Sequence, residues 1–155
     1  MNISYEGAIP LNEQTKKLLA DNYDEKTAQS IGRDIENGFL SVFDVYAEIE
    51  YVGIIVCRKE VLHDGQVCLV ICHAVAVAGI RTPLHDVLGS SLVDFAKEYK
   101  FDVIRFHAER PGVAKMLEKY DYKITEVIFT KSVCQQANQP LLQVPNHQPL
   151  VTTNE

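Results

Sequence analysis

The chain has no tryptophan, no cysteines at CxxC spacing, no block of Lys or Arg, and no apolar run long enough to cross a membrane. Each absence narrows the function. A bilayer span needs roughly 18 to 20 consecutive apolar residues, and the opening stretch MNISYEG lacks the basic and apolar regions of a secretory signal. The expectation is a soluble, intracellular protein with no signal peptide and no membrane partner. Lys and Arg number 15 against 21 Asp and Glu, for a net charge of −6. Without a basic patch there is no electrostatic footprint for a phosphate backbone, so nucleic acid is not an expected partner.

The 4 cysteines, Cys57, Cys68, Cys72 and Cys134, suit reduced thiols. Cys68 and Cys72 both fall in VCLVICHAVAV, which reads as a strand. At about 3.3 Å per residue they stand roughly 13 Å apart, too far to share a metal, so they are expected as buried apolar side chains. His63, His107 and His147 show no ligand spacing, and no metal site is expected.

A chain of 155 residues is most economically one core-forming domain. MNISY reads as a short strand, then NEQTKKLLADNY and DEKTAQSIGRDIENG as helices. In the second, Ala28, Ile31 and Ile35 recur at helical spacing, Asp24 caps the start and Gly38 stops the end. SVFDVYAEIE and VGIIVCRKE predict an antiparallel hairpin turning near Glu50 and Tyr51, and VCLVICHAVAVA is apolar enough for a central strand. Thr82 and Pro83 predict a capped helix start, followed by Leu84, Val87, Leu88, Leu92, Phe95, Ala96 and Tyr99 on one face. FDVIRFH predicts a strand, RPGVAKMLEKY a helix burying Val113, Met116, Leu117 and Tyr120, and YKITEVIFTKSV a last strand. The fold class that follows is α/β: a mixed, mostly antiparallel sheet with helices on both faces.

Beyond Val133 the composition changes. Residues 134–155, CQQANQPLLQVPNHQPLVTTNE, hold three prolines, many amides and one charged residue, and read as an extended tail to a domain of residues 1–133. NQPLL and HQPLV repeat a polar-Pro-apolar pattern within it. Pro140, Leu141, Leu142, Pro149, Leu150 and Val151 are the expected contacts with a protein partner or a second copy.

The order of elements over residues 1–133 resembles the GNAT (N-acetyltransferase) superfamily. The closest stretch is AVAGIRTPLHDVLGSSLVDFAKEYKFDVIRFHAERPGVAKMLEKYDYKITEVIFTKSV, which follows the acetyl-CoA half of that family in order and length. The family's phosphate loop has Arg or Gln, two residues, Gly, one residue, then Gly or Ala. Glycine lets the backbone approach the pyrophosphate, and the helix N-terminus favours its charge. Aligned on GSSL, this chain keeps Gly89 but has Val87 at the first glycine, Leu84 at the Arg or Gln, and the acid Asp86 inside the cradle. Any remaining coenzyme contact would fall at Val87, Leu88, Gly89 and Ser90. In the family's later Tyr-x-x-x-Gly-Phe signature, Leu117 stands at the tyrosine that protonates the departing thiolate and Asp121 at the glycine.

Such losses are similar to those of small phage-encoded GNAT-like virion or accessory proteins. The resemblance therefore implies a non-catalytic structural or accessory component of a larger assembly, in a virion or the host cytoplasm, needing no cofactor and docking through its tail. The alternative is an active N-acetyltransferase using acetyl-CoA, with His73 as general base and Glu48 or Glu50 as its partner. A second alternative is a regulator or inhibitor that binds a host protein.

Overall fold

The computed structural model describes residues 1–8, 11–80, 82–108 and 111–133. The chain divides into a unit of Met1–Ile124 and one of Thr125–Glu155. The first unit contains every helix and strand among the described residues: β1 (Ile3–Gly7), α1 (Glu13–Asn22), α2 (Glu25–Glu36), β2 (Ser41–Ala47), β3 (Glu50–Val61), β4 (Val67–Ala76), α3 (Leu84–Glu98), β5 (Val103–Phe106) and α4 (Pro111–Glu118). The strands form one sheet in the order β1-β2-β3-β4-β5, antiparallel except for the β4–β5 pair.

Two cores sandwich the sheet. On one face Leu84, Val87, Leu88, Leu92, Phe95 and Ala96 of α3 pack on Val45, Ile55, Cys57, Leu69 and Ile71, the stripe expected from their spacing. On the other, Leu18 and Leu19 of α1 with Ile31 and Ile35 of α2 pack on Val42, Ile54, Val56 and Val75. Burial of aliphatic side chains on both faces explains why the central strands are almost wholly apolar.

Capping chemistry sets the helix ends. Asn12 and Asp24 cap α1 and α2 by accepting Thr15 N and Thr27 N, each at 2.8 Å. The carboxyl of Asp24 is held below its ordinary range by the Thr27 amide. Three helices end in paired 6→1 and 5→2 backbone bonds about a residue at positive φ, which is Gly38 after α2, Lys100 after α3 and Asp121 after α4. The expected Thr82 cap is absent. Pro83 holds the cap position of α3 with no side-chain bond, and its carbonyl takes the amides of Asp86 and Val87.

Two other expectations are corrected. The β2–β3 hairpin turns at Glu48 and Ile49 because Ala47 pairs with Glu50 and Tyr46 with Tyr51. Glu48 at φ 57 supplies the positive first position of a two-residue turn. The described residues 123–133 form no strand. Val127, Ile128 and Phe129 are consecutive, so a strand here would be apolar on both faces and stable only with cover on both. In the structure these side chains face solvent, Phe129 at 92% exposure. The tail contacts expected at Pro140, Leu141, Leu142, Pro149, Leu150 and Val151 lie outside the described residues.

Candidate functional site

Two places in the first unit carry chemistry. One is a cleft of about 420 Å³ lined by Lys26, Thr27, Ser30, Ile31 and Asp34 of α2, by Leu40, and by His73 of β4. A bulge explains how His73 reaches it. Val56 pairs with His73 but Cys57 pairs with Ile71, leaving Cys72 as an extra residue in β4. Strict alternation would put His73 on the α3 face with Leu69 and Ile71; the extra residue turns it, with Val75, to the α1–α2 face. There the Tyr23 hydroxyl and His73 Nδ1 share a hydrogen bond of 2.9 Å, and the rings meet edge to face at 5.3 Å.

The expected His73–Glu48 pair is not formed. Val56, beside His73, is six residues along β3 from Glu50, about 20 Å at strand rise. Glu48 instead ties down the chain start: its Oε1 accepts Asn2 N at 2.8 Å and its own amide donates to Asn2 O at 2.7 Å. Tyr23 is the partner that sequence reasoning missed. Its signal, a tyrosine immediately before the Asp24 helix cap, is visible only when the bulge is known.

The second place is the start of α3, where the sequence puts the remnant of a phosphate cradle. Leu84, His85 and Asp86 stand where a glycine-lined loop would leave amides open, and they are helical. Val87, Leu88, Gly89 and Ser90 consequently lie inside the helix, with Val87 N bonded to Pro83 O and the side chains of Val87 and Leu88 in the core. Tyr120 covers this turn from α4's end. A Cβ at Gly89 would overlap its ring, and its hydroxyl donates to Asp86 Oδ1 at 3.0 Å. That bond raises the Tyr120 pKa above its ordinary value, with burial adding to it. The sequence places Tyr120 in the core; in the structure it is half-exposed and lies on Gly89. Glycine here admits the chain's own tyrosine, and the half-exposed Asp86 carboxylate puts a negative charge on the first turn of α3, with His85 Nε2 at 3.6 Å. These residues do not fit a coenzyme pyrophosphate.

Beyond their common stretch, β4 and β5 part. Cys68–Ile71 pairs with Val103–Phe106, and β4 then runs on to Ala76. Ser91 is structural: its hydroxyl bonds Val87 O at 2.6 Å and the Tyr5 hydroxyl at 2.7 Å, clamping α3 to β1. Among the described residues no group of His, Cys, Asp and Glu could hold a metal ion, and no helix is long and apolar enough to cross a membrane. Cys68 is buried as expected, and so is Cys57; Cys72, also expected in the core, is only half-buried because it stands on the bulge.

Solved structures of this shape include a ribosomal-protein-alanine N-acetyltransferase from Brucella melitensis biovar Abortus 2308 (TM-score 0.61, 14% identity, covering 86% of this chain and 100% of that one). The fold is the GNAT fold. Glucosamine-6-phosphate N-acetyltransferase from Arabidopsis thaliana matches at TM-score 0.59 and 12% identity over 85% of this chain and 99% of its own. A transcriptional regulator from Bacillus halodurans C-125 matches at 0.63 and 16% over 85% and 100%. No protein-family model and no curated protein sequence matches the chain. At these identities the likeness establishes the GNAT architecture alone.

Proposed function

We propose that this GNAT-fold chain does not transfer acetyl groups and serves as a structural or accessory component of a larger assembly, such as a phage virion, with its C-terminal segment as the point of attachment. One observation carries the loss of acetyl transfer: Tyr120 lies on Gly89 and bonds Asp86 over the first turns of α3. A coenzyme's pyrophosphate would have to displace the ring, face the carboxylate and find the Asp86 and Val87 amides already bonded to Pro83 O. The proline-rich repeat of residues 134–155 supports attachment to a partner.

Thermal unfolding with acetyl-CoA tests the first part. A ligand at 100 times its dissociation constant stabilises by about 2.7 kcal/mol. An unchanged melting temperature at millimolar acetyl-CoA is expected, and a rise of several degrees refutes the proposal. Removing residues 135–155 tests the second: the body should stay folded and fail to join its assembly.

The His73–Tyr23 cleft favours a second reading, acetyl-CoA-dependent N-acetyl transfer. A histidine oriented by a phenol, beside Lys26, Ser30 and Asp34, is suited to taking a proton from an acceptor amine. That reading requires acetyl-CoA binding and a loss of turnover in His73→Ala.

A further inference from the structure

Asn37–Gly38 is the single Asn-Gly pair of the sequence, and it stands at the exposed end of α2, with Asn37 at the C-cap. Asparagine is thermolabile, because the amide nitrogen of the next residue can attack its side-chain carbonyl. A following glycine has no Cβ to block that approach. The structure singles out Asn37 further. Asn12 is held at both ends, its Oδ1 by Thr15 and its Nδ2 by Asp44, and Asn22 Nδ2 bonds Leu18 O at 2.8 Å. No hydrogen bond holds the Asn37 carboxamide among the described residues. A Cβ built on Gly38 would meet nothing within 4 Å. We propose that Asn37 is a site of spontaneous deamidation, and that opening of the α2 cap sets its rate.

The closed cap blocks the reaction twice. Gly38 N, the attacking atom, donates to Ile35 O at 3.1 Å, beside the 2.9 Å bond from Phe39 N to Asp34 O. Asn37 also sits at ψ −1. A five-membered ring through Gly38 N and Asn37 Cγ needs Asn37 Cβ nearly eclipsed with that nitrogen, which requires ψ far from this value. Helix ends open locally at a small fraction of the cost of global unfolding, and an open cap frees the nitrogen and lets ψ turn. Gly38 N then loses its proton to solvent and bonds Asn37 Cγ, while the side-chain nitrogen takes up a proton and leaves as ammonia. Water opens the resulting succinimide at either carbonyl, giving aspartate or isoaspartate. Both products add one negative charge to a chain whose net charge is −6. That charge lies beside Glu36 at the negative end of the α2 dipole. Isoaspartate also inserts a methylene into the main chain, which shifts the two cap bonds out of register. The chemistry therefore loosens the turn that leads from α2 through Leu40 into β2. It does not depend on whether acetyl-CoA binds.

Full-length protein aged at mildly alkaline pH and mapped by proteolysis and mass spectrometry tests it. The peptide holding Asn37 should gain the mass difference between a hydroxyl and an amino group and split into two chromatographic isomers. Asn12 and Asn22 should stay unchanged in the same samples. The rate should rise with pH and lie about 10- to 1,000-fold below that of the chain unfolded in guanidinium, the range between a fraying end and global unfolding. Asn37→Gln, a change at an exposed side chain, should abolish the acidic species on anion exchange. In the aged wild type, hydrogen exchange at Phe39 and Leu40 should quicken, since both amides donate to Asp34 O. A slowing of less than about 10-fold would mean that the cap does not gate the reaction, and one beyond about 1,000-fold that only global unfolding exposes the site. Either result, or equal conversion at Asn12 or Asn22, overturns the proposal.

Discussion

Replacing Asp44 tests most directly how α1 is held to the sheet. Its carboxylate is 5% exposed and accepts from Asn12 Nδ2, Thr15 Oγ1 and the Tyr51 hydroxyl, each at 3.1 Å. No ion pair to it is found among the described residues. In Asp44→Ala, Thr15 keeps an acceptor, because its hydroxyl is also 2.9 Å from Asn12 Oδ1. The Asn12 amide and the Tyr51 hydroxyl are left without one. Asn12 is exposed and Tyr51 half-buried, so water partly replaces the lost acceptor; at about 1–1.5 kcal/mol for each hydrogen bond lost to a charged group, the variant should lose about 2–3 kcal/mol. Asp44→Asn is the finer probe. Asn12 cannot turn its amide round to suit the new side chain, since its Oδ1 caps α1. Two amide donors then face each other, and a loss of about 2 kcal/mol is expected. Tyr51→Phe removes one donor and leaves the carboxylate two, for about 1 kcal/mol. Urea unfolding followed by circular dichroism at neutral pH should rank the losses Ala, Asn, Phe. A loss below about 1 kcal/mol in Asp44→Ala, or a reversed order, refutes the network as a source of stability.

Lys100→Gly and Asp121→Gly should each stabilise by about 1 kcal/mol, because both residues now adopt a left-handed backbone that glycine takes without strain. Gly89→Ala should push Tyr120 off Asp86 and return its titration toward the ordinary tyrosine value, read by NMR of labelled tyrosine. The Tyr5 hydroxyl is pushed up from 10.0 to about 12, chiefly by burial. The folded state thus favours the neutral phenol; its contribution is whole below pH 10 and is lost as pH rises toward 12, at up to about 1.4 kcal/mol per unit. Tyr5→Phe should move that alkaline fall to higher pH. Burial pushes the Cys57 thiol up to about 12 and raises Cys68 as well. A thiol reagent on the native protein should therefore modify Cys72 before Cys57 or Cys68, mapped by mass spectrometry.

The elements legible in the sequence are those whose signal is local. The Asp24 cap, the Gly38 stop and the apolar face of α3 need only spacing and capping chemistry; they appear in the structure, with six of the seven expected face residues buried and Tyr99, at the C-cap, exposed, while the cap at Thr82 is absent. The site was legible only in part. His73 was visible as a histidine in a central strand, but its face depends on one extra residue at Cys72, which leaves no mark in an apolar run. The Tyr120–Gly89 contact depends on how α4 lies against α3, and helical periodicity fixes an angle about one axis while saying nothing of the neighbouring one. The expected last strand rested on composition. A strand also needs a partner edge and cover, which are properties of the whole fold.

The strands lie across the sheet in the order in which they occur along the chain. No strand has to be threaded between two that are already paired. As the polypeptide leaves the ribosome, each hairpin can zip onto the edge left by its predecessor, and only the parallel β5 must wait for the crossover through α3. Synthesis itself can therefore template the sheet, with the late-emerging end of the molecule as the growing margin.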